Sequence, residues 1–143
     1  MIILKELRYT TIHGVSVYVP FHARVTVIGG DSSSGKSFIK STVRKVYNTR
    51  GKGIVVVYDY ESPIDLDMLK ALKNRLVIMD NVDLLLPKIE GLREYINKDF
   101  DNQYLFFMRE DHGINANVNN YAELFTKGKL GYGVTLEAVY LYR

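Results

Sequence analysis

Residues 30–37 contain the residue types that bind phosphate groups, at the spacing that phosphate binding requires. Gly30, Gly35, Lys36 and Ser37 match the pattern G-x-x-x-x-G-K-[ST]. The two glycines allow backbone angles that a Cβ would penalise, so successive N–H groups can point inward and hold an anion. The Lys36 ammonium suits the β- and γ-phosphates of a nucleotide, and the Ser37 hydroxyl suits Mg²⁺. The predicted nucleotide contacts are Gly30, Asp31, Ser32, Ser33, Ser34, Gly35, Lys36, Ser37 and Phe38.

The segments on either side of this loop have the patterns that a phosphate site needs. Residues 24–28, RVTVI, form an apolar run typical of a strand that is buried on both faces. Apolar residues then recur at helical spacing and predict a helix from about Gly35 to Tyr47. The amino end of that helix would add N–H groups and the positive end of its dipole. The loop is therefore predicted to connect a buried strand to an amphipathic helix.

A second element of the site is predicted where another apolar strand ends. Residues 75–80, RLVIMD, end in Asp80, whose carboxylate could hold the hydration shell of Mg²⁺. An acid after an apolar strand is commonly only a loop residue. Its position after the phosphate-binding loop favours a role at the metal. Ser37 and Asp80 are accordingly the predicted metal ligands.

On these residues the chain resembles the P-loop NTPases, with residues 30–37 as the Walker A loop and LVIMD as the Walker B strand. An extra strand is predicted at residues 54–60, between the Walker A helix and the Walker B strand. In this respect the chain resembles the additional-strand division of the family, which includes the AAA+, ABC and RecA-like ATPases. The resemblance implies an α/β fold, a three-layer sandwich with a mainly parallel sheet in the strand order 5-1-4-3-2. Residues 24–28 would be central, and short antiparallel strands would precede them. It also implies ATP and Mg²⁺ as cofactors and a catalytic role for Lys36.

The residue that would activate water is left open by the sequence. Related ATPases commonly follow the Walker B aspartate with glutamate, whereas this chain has Asn81, which cannot accept a proton at neutral pH. Glu61, after the strand at residues 54–60, and Asp83 are the other candidates. Arg109 follows another predicted strand and could contact a phosphate in its own site or in a neighbouring subunit. The predicted catalytic residues are Lys36, Glu61, Asn81 and Arg109.

The remaining sequence predicts alternating strands and helices. Further strands are expected at residues 2–4, 7–12, 15–19, 103–108 and 134–142. Helices are expected after a Ser62 cap with Asp65 as the capping-box acid, from Pro87 to Asn97, and at residues 118–125. The polar clusters then fall at the carboxyl ends of the strands, where parallel sheets bind ligands.

Composition narrows the class of protein. The 143 residues predict one domain over residues 1–143, and the absence of cysteine excludes disulfides and cysteine-ligated metals. The net charge of +3 is too small to indicate nucleic-acid binding, and no apolar run is long enough to span a membrane. The amino-terminal residues show no signal-peptide pattern, so a cytoplasmic location is expected.

Three functions are compatible with this pattern. The first is Mg²⁺-dependent ATP binding with slow or partner-stimulated hydrolysis. The second is a small P-loop kinase, in which Asp59 or Glu61 would contact the phosphoryl acceptor and residues 109–131 would form a lid. The third is a non-hydrolysing module, in which bound nucleotide orders a surface for a protein partner. The sequence leaves open whether the partner is another protein or a second copy of the chain.

Overall fold

One mixed sheet of eight strands runs through the part of the chain described by the computed structural model, which comprises residues 2–29, 35–48, 53–59, 65–108, 120–128 and 133–141. The strands are β1 (Glu6–Thr10), β2 (Val15–Pro20), β3 (Val25–Gly29), β4 (Val55–Tyr58), β5 (Leu76–Met79), β6 (Gln103–Phe107), β7 (Tyr121–Gly128) and β8 (Val134–Tyr140). The helices are α1 (Lys36–Tyr47), α2 (Leu66–Lys70), α3 (Val82–Leu85) and α4 (Leu92–Lys98).

The order of the strands across the sheet is β1-β2-β8-β7-β3-β6-β5-β4. Strand β3 pairs in parallel with both β6 and β7, while β5 pairs in parallel with both β6 and β4. The carboxyl ends of β3, β4, β5 and β6 therefore lie along the same edge of the sheet. Because α1 follows β3, its amino end is also at this edge.

The predicted three-layer sandwich around a mainly parallel sheet in the order 5-1-4-3-2 is wrong. The sheet is a curled mixed sheet of eight strands, and the pairs β1–β2 and β7–β8 are antiparallel. Residues 121–125, expected in a helix, belong to β7, where Ala122 and Leu124 are buried and Glu123 between them is half-buried. This alternation has the period of a strand. Because β8 pairs with β7 on one side and β2 on the other, the leading strands join the same sheet.

Helices pack on both faces of the sheet. On one face, Ile39 and Val43 of α1 are buried against a core that includes Ile28 and Phe107. The spacing of four residues between Ile39 and Val43 places both side chains on the same side of α1. The strand predicted at residues 24–28 is confirmed as β3, and the predicted helix that ends at Tyr47 is confirmed as α1. On the other face, α2, α3 and α4 cover a second buried cluster.

The shorter helices begin and end at other residues than predicted. Asp65 itself caps α2, since its carboxylate accepts a hydrogen bond from the Asp67 N–H at 3.0 Å. The predicted cap, Ser62, lies outside the described residues. The helix predicted from Pro87 to Asn97 is wrong in its first half, because α4 begins only at Leu92. Gly91, with φ +83°, immediately precedes α4 and is not helical.

Gln103 and Tyr104 of β6 are buried, and both make hydrogen bonds through their side chains. The Gln103 side chain accepts hydrogen bonds from the Ile3 and Leu4 N–H groups at 2.7 and 2.9 Å and donates to the Leu4 carbonyl at 3.0 Å. Residues 2–4, predicted as a strand, do not form one, and Ile3 and Leu4 are bound by this side chain instead. The Tyr104 hydroxyl donates to buried Asp99 at 2.5 Å, and burial together with this bond raises the pKa of Tyr104.

Candidate nucleotide site

The amino end of α1 carries the described part of the predicted phosphate-binding loop. Gly35, directly before the helix, has φ +100°, a left-handed conformation that favours glycine. A Cβ at this position would lie 2.9 Å from the terminal carbons of Leu136 on β8, so the leucine side chain would have to shift to admit it. Five of the predicted contacts, Gly30, Asp31, Ser32, Ser33 and Ser34, lie outside the described residues.

Lys36 is buried at the first position of α1, with 7% of the residue exposed. Burial of an ammonium group is costly unless charged or polar groups surround it, and lysine is rarely buried for this reason. Ser37, the next residue, is exposed. Phe38, also a predicted nucleotide contact, packs partly buried against the core that contains Ile39. The structure thus gives Phe38 a packing role and leaves Lys36 and Ser37 at the start of the helix.

Two carboxylates follow the neighbouring strands at the same edge of the sheet. Asp59 follows β4 and Asp80 follows β5. The Asp80 N–H donates to the Tyr58 carbonyl at 2.9 Å, which continues the pairing between these strands. The ends of β4 and β5 therefore lie side by side, and each is followed at once by a carboxylate.

Lys40 of α1 connects the helix to both carboxylates. Its Nζ atom lies 2.6 Å from Asp80 Oδ2 and 4.0 Å from Asp59 Oδ2. The three side chains are only 19%, 17% and 33% exposed for Lys40, Asp80 and Asp59. Sequence reasoning missed Lys40, although its position four residues after Lys36 places both lysines on the same side of the helix. We call Lys40, Asp59 and Asp80 the ion triad.

The residues of this arrangement do not fit a Mg²⁺ ion held by Asp80. Both carboxylate oxygens of Asp80 already accept hydrogen bonds, Oδ2 from Lys40 at 2.6 Å and Oδ1 from the Asn81 N–H at 2.8 Å. Mg²⁺ requires oxygen ligands in near-octahedral geometry and is repelled by a neighbouring ammonium.

Of the remaining catalytic candidates, the structure describes Asn81 and Asp83. Asn81 has φ +52° and precedes α3, and its carbonyl accepts hydrogen bonds from the Leu84 and Leu85 N–H groups at 2.9 and 3.1 Å. Asparagine adopts this left-handed conformation more readily than most residues. The backbone conformation before α3 therefore explains why asparagine is found at position 81. Asp83 lies in the first turn of α3. Glu61 and Arg109 lie outside the described residues.

Comparison with known proteins identifies no relative of this chain: no family model matches it, and no curated protein or solved structure resembles it significantly. Among the helices that the structure describes, none is long and apolar enough to cross a membrane.

Proposed function

We propose that this chain binds ATP, with the phosphates at the amino end of α1. The observation that carries the proposal is the burial of Lys36, the lysine of the Walker A pattern, at the first position of this helix. A helix of 12 residues has a positive dipole end, and its first N–H groups have no acceptor within the helix. The resemblance to the P-loop NTPases belongs to the same proposal.

Each described residue of the loop has a role in phosphate binding. Gly35 lets the backbone turn into α1 in a conformation that a side chain would oppose. The Lys36 ammonium neutralises phosphate charge, and the Ser37 hydroxyl donates a hydrogen bond to a phosphate oxygen. The exposed Ser37 is open to a ligand that approaches from solvent. A cytoplasmic location suits this function and remains a prediction.

Binding without hydrolysis is the form of this function that the described residues favour. Asn81, at the position where the ATPases that this chain resembles commonly have a catalytic glutamate, starts α3 and has no carboxylate with which to accept a proton. We therefore favour a module whose conformation responds to bound nucleotide, with turnover slow or dependent on a partner. Phosphate release from ATP, measured on the purified chain, separates this form from an efficient ATPase.

The test is equilibrium binding of ATP to the full chain and to two lysine variants of α1. Lys36→Ala should weaken ATP binding by about tenfold to a hundredfold, because a charge-assisted hydrogen bond contributes roughly 1.5–3 kcal/mol. Lys45→Ala is the matched control, since Lys45 is an exposed lysine of the same helix. Inorganic triphosphate should compete with ATP. The proposal fails if the unaltered chain does not bind ATP, or if Lys36→Ala binds it equally well.

A further inference from the structure

The ion triad contains a positive charge that the Walker motifs do not require. Lys40 lies one helical turn beyond Lys36, and its Nζ atom contacts Asp80 at 2.6 Å. The sequence analysis predicted Asp80 as a ligand of Mg²⁺. In the structure its carboxylate is instead neutralised by the chain itself.

The position of this charge matters because the proposed ligand is an anion. Asp59 and Asp80 follow neighbouring strands at the edge of the sheet where α1 begins, and two carboxylates there oppose the approach of a triphosphate. A divalent cation would normally offset this repulsion. Lys40, within 4.0 Å of both carboxylates and with its side chain 19% exposed, offsets it without a metal.

We propose that the Lys40 ammonium replaces the charge of the divalent cation at Asp80, so that this site binds nucleotide without a metal. The inference rests on the proposed function and specifies its cation requirement. The two lysines of α1 then have different roles. Lys36 faces the phosphates, and Lys40 neutralises the Asp59 and Asp80 carboxylates beside them. A metal ion at Asp80 would have to displace Lys40 first.

The first experiment compares ATP affinity in Mg²⁺ with ATP affinity in a metal chelator. The unaltered chain should show a difference of less than about threefold between the two conditions. Lys40→Met should lose about tenfold or more of its affinity in chelator and recover much of it in Mg²⁺. Lys40→Arg keeps the charge and should retain affinity in chelator. Lys45→Met, on the same helix, should behave as the unaltered chain.

The second experiment uses Mn²⁺ alone, without nucleotide, and measures bound metal by paramagnetic resonance. The unaltered chain should bind Mn²⁺ at least about tenfold more weakly than Lys40→Met, because removal of the ammonium releases Asp80. The double variant Lys40→Met with Asp80→Asn should lose the gained affinity. Equal Mn²⁺ binding by the unaltered chain and Lys40→Met would show that Lys40 does not exclude a metal and would overturn the inference.

The outcomes separate this inference from the proposed function. If the unaltered chain binds ATP only in Mg²⁺, the inference is overturned and the proposed function stands. If the unaltered chain binds ATP in neither condition, the proposed function fails, and metal-free nucleotide binding fails with it. If the unaltered chain binds ATP in Mg²⁺ and in chelator, and only the variant without the Lys40 charge requires Mg²⁺, the proposed function and the inference are both supported.

Discussion

Gly35 lies so close to Leu136 that a β-carbon on the glycine would be 2.9 Å from both terminal carbons of the leucine. Ordinary contacts between carbon atoms are about 3.5–4.0 Å long. Leu136 is buried in β8, a strand that follows residues 30–37 by about a hundred residues in the sequence. Gly35 therefore packs against the strand predicted at residues 134–142, which the structure separates from β3 by β7.

Gly35→Ala should lower the free energy of unfolding by about 1–3 kcal/mol, because the new Cβ opposes φ +100° and meets Leu136. Urea denaturation measures this change. Gly53→Ala is the control, since a Cβ there meets no atom within 4 Å, and it should change stability by less than about 0.5 kcal/mol.

A second substitution separates the two causes of strain at Gly35. Leu136→Ala, combined with Gly35→Ala, should cost less than the sum of the single changes by about 0.5 kcal/mol or more, since it removes the steric contact. Strict additivity would assign the whole effect to the backbone angle.

Tyr104 should make the protein sensitive to alkaline pH. Burial, followed by the hydrogen bond to Asp99, raises the pKa of Tyr104 in the folded state. Above a pH of about 10 the unfolded chain loses this proton while the folded chain keeps it, so the free energy of unfolding falls as pH rises. Tyr104→Phe should therefore flatten the decline above pH 10 by up to about 1.4 kcal/mol per pH unit. Urea denaturation at several pH values measures this decline. An identical decline in the free energy of unfolding of both proteins would contradict this assignment.

Asp80→Asn should destabilise the protein even without a ligand. The amide keeps an acceptor for the Asn81 N–H but removes the charge that pairs with Lys40, whose side chain is only 19% exposed. We expect a loss of about 1–3 kcal/mol in the free energy of unfolding, between the values for surface and buried pairs. Asp101→Asn is the matched control, because the Lys73–Asp101 pair is 58% exposed on both sides and its loss should have no measurable effect. If both substitutions changed the free energy of unfolding equally, the ion triad would not stabilise the fold more than an exposed ion pair does.

Gln103→Leu should loosen the residues that precede β1. The buried Gln103 side chain makes three hydrogen bonds to Ile3 and Leu4, and leucine can make none of them. Hydrogen exchange at the Ile3 and Leu4 amides should accelerate by about tenfold, as expected for the loss of roughly 1–2 kcal/mol of hydrogen bonding. Exchange at Leu7, within the β1–β2 pair, is the internal control and should change less. Uniform acceleration throughout β1 would instead indicate global destabilisation.

Local patterns predicted several elements correctly because they depend on neighbouring residues alone. The apolar run of β3 and the spacing of Ile39 and Val43 in α1 needed no knowledge of the rest of the chain. The helix predicted over residues 118–125 was wrong because the apolar residues of this segment match a helical spacing as well as the alternation of a strand. Pairing with β3 on one side and β8 on the other gives it the strand conformation.

The sequence by itself determined the glycine, lysine and serine spacing of residues 30–37, the strand before it and the helix after it, since these follow from residue types and short-range spacing. Only the tertiary structure decided that Lys40 pairs with Asp80 and that Leu136 crowds Gly35. Both contacts join residues that are far apart in the sequence. Their distances depend on how the strands are ordered across the sheet, and no local pattern of residues encodes that order.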